Sequence, residues 1–179
     1  IGNEIYYWVP NNEMDGVVPQ GKEDTTILNS VFFGRPVAEK WSRIHIKAPR
    51  KKKNLFDVSY MYSGEFVIKS EVRNLLDDIV GNNAEWLEVT FYDHIYWILN
   101  SIHQLDIIDW KQSLKLPSVF ERNFYCIYHF KSLVLKSQKR DIACFKIKGL
   151  MEIFYSQAFV YQITQANLSM GIHFRLLPK

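Results

Sequence analysis

Cysteine is scarce: Cys126 and Cys144 are the only two in 179 residues. So few exclude a disulfide-stapled scaffold and a thiolate metal cluster. Both lie in apolar, strand-like runs, where buried reduced thiols are the plainer reading and a cross-strand disulfide the other. Long apolar runs are missing as well. The longest, residues 95–108, is interrupted by Asn100, His103, Gln104 and Asp106, and a membrane helix needs roughly 20 apolar residues. The opening Ile1-Gly2-Asn3-Glu4 has neither the basic nor the apolar region of a secretory leader. It also lacks an initiator Met, which leaves location open from this end. Charge of one sign is absent too: 22 basic against 19 acidic residues give a net +3, too little to imply nucleic acid. There is no HExxH, paired CxxC, GxxxxGK[ST], GxGxxG or GxSxG. The histidines (His45, His94, His103, His129 and His173) include no i, i+4 pair of the kind that grips a metal from a helix.

What is present is core material, with 47% apolar and 15% aromatic residues. Ile5–Val9 is β-favouring and ends at Pro10. Residues 11–26, with Gly16, Pro19 and Gly21, read as a long surface loop. Gly34-Arg35-Pro36 signals a turn. Trp41, Ile44 and Ile46 alternate with Arg43, His45 and Lys47, giving a half-exposed strand. Phe56–Tyr62 and Phe66–Ile68 are further strands. After Ser70, Val72, Leu75, Leu76 and Ile79 fall on one face of a helix that Gly81 closes. Leu87, Val89 and Phe91 alternate as a strand. The spacing of Tyr96, Leu99, Ile102 and Leu105 predicts a helix, and Phe124–Leu135 a strand.

The C-terminal stretch repeats that layout. Runs at 142–147 and 152–155 flank Lys148-Gly149, a place for a reversal. Ser156 suits a helix N-cap, because its hydroxyl can accept from a backbone N–H of the first turn. Phe159, Val160, Ile163 and Ala166 would share one helical face. Beyond Gly171, Ile172, Phe174 and Leu176 alternate with His173 and Arg175. The expected fold is α+β, with mixed and antiparallel sheets and a few short helices. It is one domain over 1–179, in which lobes 1–92 and 93–179 each carry a strand, a Ser-capped helix and a strand.

Chemistry is harder to find. Asp77/Asp78 and Glu85/Glu88 are near pairs of carboxylates, and the first, at a helix end, reads as exposed. Asp106 and Asp109 stand among Leu105, Ile107, Ile108 and Trp110. They are either acids poised for proton transfer or turn-capping acids, with structure favoured because no nucleophile is recognisable nearby. Arg50, Lys51, Lys52 and Lys53 form the one charge run. It reads as a solvated loop, with contact to a nucleic acid or anionic lipid as the alternative. No cofactor or metal is called for.

Four blocks resemble a known family: FFGRPVAEKW (32–41), GEFVIKSEVRNLL (64–76), IYWILNSIHQLDIIDWKQS (95–113) and FKIKGLMEIFYSQAF with GIHF (145–174). The third carries Asp-x-x-Asp and a Ser four positions on, at Asp106, Asp109 and Ser113. The fourth carries Ser156, Gly171 and Phe174. In this order they resemble the imm11-type immunity protein family of bacterial polymorphic toxin systems. The 50–53 run departs from that pattern. The resemblance implies a bacterial cytoplasmic protein that neutralises a cognate toxin, encoded by a neighbouring gene, through stoichiometric binding and without catalysis. Tyr60, Tyr62, Tyr92, Asp106 and Asp109 are the candidate contacts. Membrane is not expected as a partner and nucleic acid is disfavoured. An enzyme using Asp106 and Asp109 is the competing reading.

Overall fold

The computed structural model describes residues 4–12, 15–29, 34–49, 54–119, 123–136 and 142–177. Three α-helices and thirteen strands lie among them, an α+β architecture with mixed and antiparallel sheets. A six-stranded sheet has the order β2 (Val18–Pro19), β3 (Ile44–Lys47), β6 (Ala84–Phe91), β7 (His94–Ser101), β5 (Phe66–Lys69), β4 (Val58–Tyr60). A five-stranded sheet has the order β13 (Ile172–Leu176), β1 (Ile5–Pro10), β12 (Ile153–Ser156), β11 (Cys144–Ile147), β8 (Gln104–Leu105). A small ribbon pairs β9 (Leu114–Lys115) with β10 (Phe130–Ser132). The sheets do not follow a division at residue 92. The strand β1 belongs with the C-terminal strands, and β7 belongs with the N-terminal ones.

Both layout units exist. In the first, β5 leads into α2 (Ser70–Val80) and returns as β6. In the second, β12 leads into α3 (Gln157–Gln165) and returns as β13. In each unit the two strands flank a third that is antiparallel to both: β7 between β5 and β6, and β1 between β12 and β13. The inner faces of both sheets and both helices share one core. Phe66, Ile68, Leu76, Leu99, Cys144, Tyr155, Phe159 and Ile163 are all buried in it. Phe66 stacks on Tyr155 with ring centroids 4.9 Å apart. Outer cores cover the far faces. Val67, Val89 and Ile98 lie under one, Phe145, Ile147 and Phe154 under the other.

The helix starts differ. Ser156 caps α3 as expected, its hydroxyl accepting from Phe159 N–H at 3.3 Å. Ser70 does not cap α2. Lys69 occupies the cap position without a side-chain capping bond, and Ser70 Oγ instead accepts from Trp97 Nε1 at 3.1 Å. At the far ends, Gly81 (φ 49°) and Asn167 (φ 51°) both have a positive φ, which turns the chain out of the helix.

Three expectations are corrected. Residues 94–105 form β7 and β8 and not a helix, because β7 is buried on both faces: Tyr96 and Ile98 enter one core, Trp97 and Leu99 the other. A strand covered on both sides loses its alternation and reads like a buried helix. Residues 11–26 are not all loop. They contain β2 and the start of α1 (Lys22–Asn29), which has little apolar surface of its own. Asp24 fixes α1 through the N–H groups of Gly21 (3.1 Å) and His45 (3.0 Å). The long strand expected at 124–135 is a one-turn 3-10 helix, Ile127–His129, followed by the short β10.

Candidate functional site

The chain leaves β7 in one sheet and enters β8 in the other within a few residues, and an open cleft of about 520 Å³ lies beside that crossing. Lys146 on β11 and Gln104 on β8 line it, with Gly34, Arg35, Asp106, Trp110, Phe124 and the Lys148-Gly149 turn. The backbone on this side is fixed. Lys146 N–H donates to His103 O and Lys148 N–H to Leu105 O, both at 2.8 Å.

Each wall has a local cause. The loop bearing Arg35 is clamped by Glu85, whose carboxylate accepts from Val37 N–H (2.8 Å) and Ala38 N–H (3.3 Å). Asn100 reinforces the clamp, its amide donating to Arg35 O at 2.9 Å and to Glu85 at 3.1 Å. Glu85 is therefore a loop anchor, while Glu88 forms an ion pair with Arg43. Gly34 has φ 62°, and a Cβ there would stand 3.2 Å from Lys146 Cδ, so the loop lies directly over the lysine stem. Gly149 has φ 92°, and a Cβ there would stand 3.1 Å from the Trp110 ring. The turn needs glycine on both counts.

Lys146 is only 3% exposed, and Glu65, at 1%, is the carboxylate whose charge reaches it. Burial pushes the Lys146 ammonium below its ordinary range, and the Glu65 charge opposes that shift. Burial raises the Glu65 carboxyl, opposed first by the Ser63 hydroxyl donating to it and then by Lys146. Tyr155 and Cys144 complete this polar nucleus. Burial lifts the Tyr155 phenol well above its usual value and the Cys144 thiol to about 12. The lysine stem is thus held beneath Gly34, and the Glu65 charge acts on its ammonium.

The expected contacts fare unevenly. Asp106 lines the cleft, exposed and 3.4 Å from Lys148 Nζ. Asp109 is a turn acid: it accepts from Lys111 N–H (3.0 Å), Gln112 N–H (3.2 Å) and Gln112 Nε2 (3.0 Å). Tyr60 is not a surface contact. It is 2% exposed, packs 5.1 Å from the Trp8 ring and donates its hydroxyl to Asn12 O at 2.7 Å. Tyr62 and Tyr92 are exposed, and neither lines the cleft. Arg50, Lys51, Lys52 and Lys53 lie outside the described residues.

Sequence reasoning missed Arg35, Lys146, Lys148, Trp110 and Phe124 as a group. One signal was available: Lys146 is a lone charge inside an apolar strand. Cys126 and Cys144 are not joined in a disulfide, and Cys144 is buried and Cys126 half-buried. Nδ1 of His129 accepts from Cys126 N–H at 3.0 Å, and His173 pairs with Asn11 at 2.9 Å, so both histidines have structural bonds. Among the described residues no three His, Cys, Asp or Glu side chains converge as metal ligands would. No helix there is long and apolar enough to cross a membrane.

Exposed apolar side chains gather on the side of the cleft formed by Trp110 and Phe124. Trp110, Leu114, Leu116, Phe124, Tyr128 and Met151 are all exposed. They belong to one neighbourhood. The ribbon of β9 and β10 continues into Leu116 N–H donating to His129 O at 2.9 Å, and Met151 N–H donates to Tyr125 O at 2.9 Å. The Tyr125 ring lies 5.9 Å from Trp110. Neither a scan of protein-family models nor a search of curated proteins finds a match to this chain.

Proposed function

We propose that this chain is a bacterial immunity protein, acting in the cytoplasm, that neutralises a cognate toxin by binding it one to one. The apolar collar around the cleft carries the reading. Large exposed apolar side chains are ordinary when scattered, but a cluster rimmed by charge marks a surface that another protein covers. Trp110 and Tyr128 are of the residue types that anchor interfaces. The family resemblance supplies the kind of partner, and a stable complex would bury about 1,200–2,000 Å² in all.

Turnover is not required of such a molecule, and Asp109 suits that view because its oxygens hold a turn. The test is co-expression with the adjacent reading frame. The two products are expected to purify together, and cells carrying both to survive where cells carrying the neighbour alone die. Survival undiminished when Trp110→Asp and Tyr128→Asp together abolish co-purification would refute binding as the mode of protection.

A further inference from the structure

We propose that the cleft seats an acidic side chain presented by an apolar loop of the toxin, its carboxylate meeting Arg35, Lys146 and Lys148. This rests on the binding reading above and specifies its chemistry.

Among the described residues, three cations line the cleft and one carboxylate, Asp106, does so with them. The most deeply placed cation does not swing freely, because Lys146 sits on β11 with its stem under Gly34. A rigid cation in a sheltered place loses little further freedom when a carboxylate arrives, and charge-assisted hydrogen bonds are the stronger kind. Trp110 and Phe124 provide flat walls for the residues beside that carboxylate. A small anion could occupy a volume of about 520 Å³. It would leave Leu114, Leu116, Tyr128 and Met151, which do not line the cleft, in water. A protein loop fills the cleft and lets its parent surface cover the collar. The same charge pattern would steer the encounter, so association should slow as salt rises.

The purified product of the adjacent reading frame is the probe, with its dissociation constant measured by calorimetry. Lys148→Glu is the first variant, because its side chain is 67% exposed and its pairing with Asp106 is a surface one. Arg35→Glu is the second, with thermal melting used to confirm that the variant folds. Tyr161→Ala, exposed on α3 and away from the cleft, is the control. Each charge reversal is expected to weaken binding at least about tenfold, and the control to stay within about twofold. Changing one acidic residue of the toxin to Lys should restore affinity for Lys148→Glu and for no wild-type pair. If wild type binds and both reversals leave affinity within about twofold, the acidic seat is wrong and the binding reading stands. If wild type does not bind, both fall.

Discussion

The two inner units have the same strand order but are strung differently. In the first, β4, β5, α2, β6 and β7 follow one another along the chain, and β6 joins β7 through a hairpin turn at Tyr92. In the second, β11, β12, α3 and β13 are consecutive, but the strand in the position of β7 is β1, from the other end of the chain. The joint that a hairpin makes in one unit is left open in the other, with Leu177 N–H donating to Ile5 O at 2.8 Å. Spatial order therefore does not depend on chain order. The second unit is held by contacts of large sequence separation, which is costly to form early in folding.

Their edge strands have different neighbours, and the proposed site lies at one of them. In the first unit the edge strand β4 is taken by the segment after α3. Val58 N–H donates to Ser169 O (3.1 Å), and Gly171 N–H donates to Val58 O (2.8 Å). In the second, the equivalent strand β11 takes β8, and the cleft opens there. Each unit's edge is thus covered by a segment that follows an element of its twin, α3 in one case and β7 in the other, and the cleft lies beside β8.

The sharpest way to break this comparison is to ask whether the units can unfold apart. Phe66 lies in the first unit and its ring meets Trp8, Tyr155, Phe159 and Phe174, all of the second. Phe66→Ala is expected to cost about 3–5 kcal/mol. Urea unfolding, followed by circular dichroism and by tryptophan fluorescence, should still show one transition at a lower midpoint. Two separated transitions would mean the units are independent.

Next comes the polar nucleus between the sheets. Glu65→Ala leaves Lys146 buried without the Glu65 charge that acts on it and is expected to cost about 3 kcal/mol. Adding Lys146→Met should recover most of that loss, since a methionine fills the stem's place without a charge. Purely additive losses in the double variant would show that the two groups do not interact.

A smaller effect tests the shared edge. Asp57 accepts from Lys69 Nζ, Ser169 N–H and Ser169 Oγ, each at 2.8 Å, and so ties the first unit to the loop after α3. The Lys69 bond, helped by Ser169 and opposed by burial, lowers its carboxyl to about 2. A depressed folded value means the stabilisation is complete above the ordinary carboxylate range near ~4 and disappears as pH falls toward 2. Allowing for its partial exposure, Asp57→Asn should cost about 1–2 kcal/mol at neutral pH. The variant and wild type should converge on acidification, as chemical denaturation across pH would show. A gap that stays constant down to pH 2 would place the effect elsewhere.

The smallest expected effect is the most telling about chain order. Residues 4–12 moved behind Leu177 through a short linker would give the second unit the hairpin that the first has. The rearranged chain is expected to fold with a melting temperature within a few degrees of the original. Failure to fold would mean that β1 must be made first, and that the likeness of the units is only geometrical.

The sequence made the layout of the two units visible because short apolar strands, an N-cap serine at 156 and closing glycines act locally. It hid β7, whose two-sided burial removed the alternation that marks a strand. It also hid β1's place, since nothing in Ile5–Pro10 says which partners it will have. The serine rhyme was misleading by one residue: Ser156 is the cap of α3, whereas Ser70 lies inside α2. The site was less legible than the fold. Arg35, Trp110 and the Lys146–Lys148 segment are distant in sequence, and the Glu85 clamp and the crossing from β7 to β8 bring them to one cleft. Tyr60 shows the converse, a tyrosine expected at the surface that the structure places in the core.

Titrating the toxin's activity with increasing amounts of this protein tests the account most directly. Activity is expected to fall linearly and reach zero at one molecule per toxin, with an end point that does not move as incubation lengthens. Complete protection at a small fraction of that ratio, deepening with time, would mean that each molecule acts repeatedly and would contradict neutralisation by coverage.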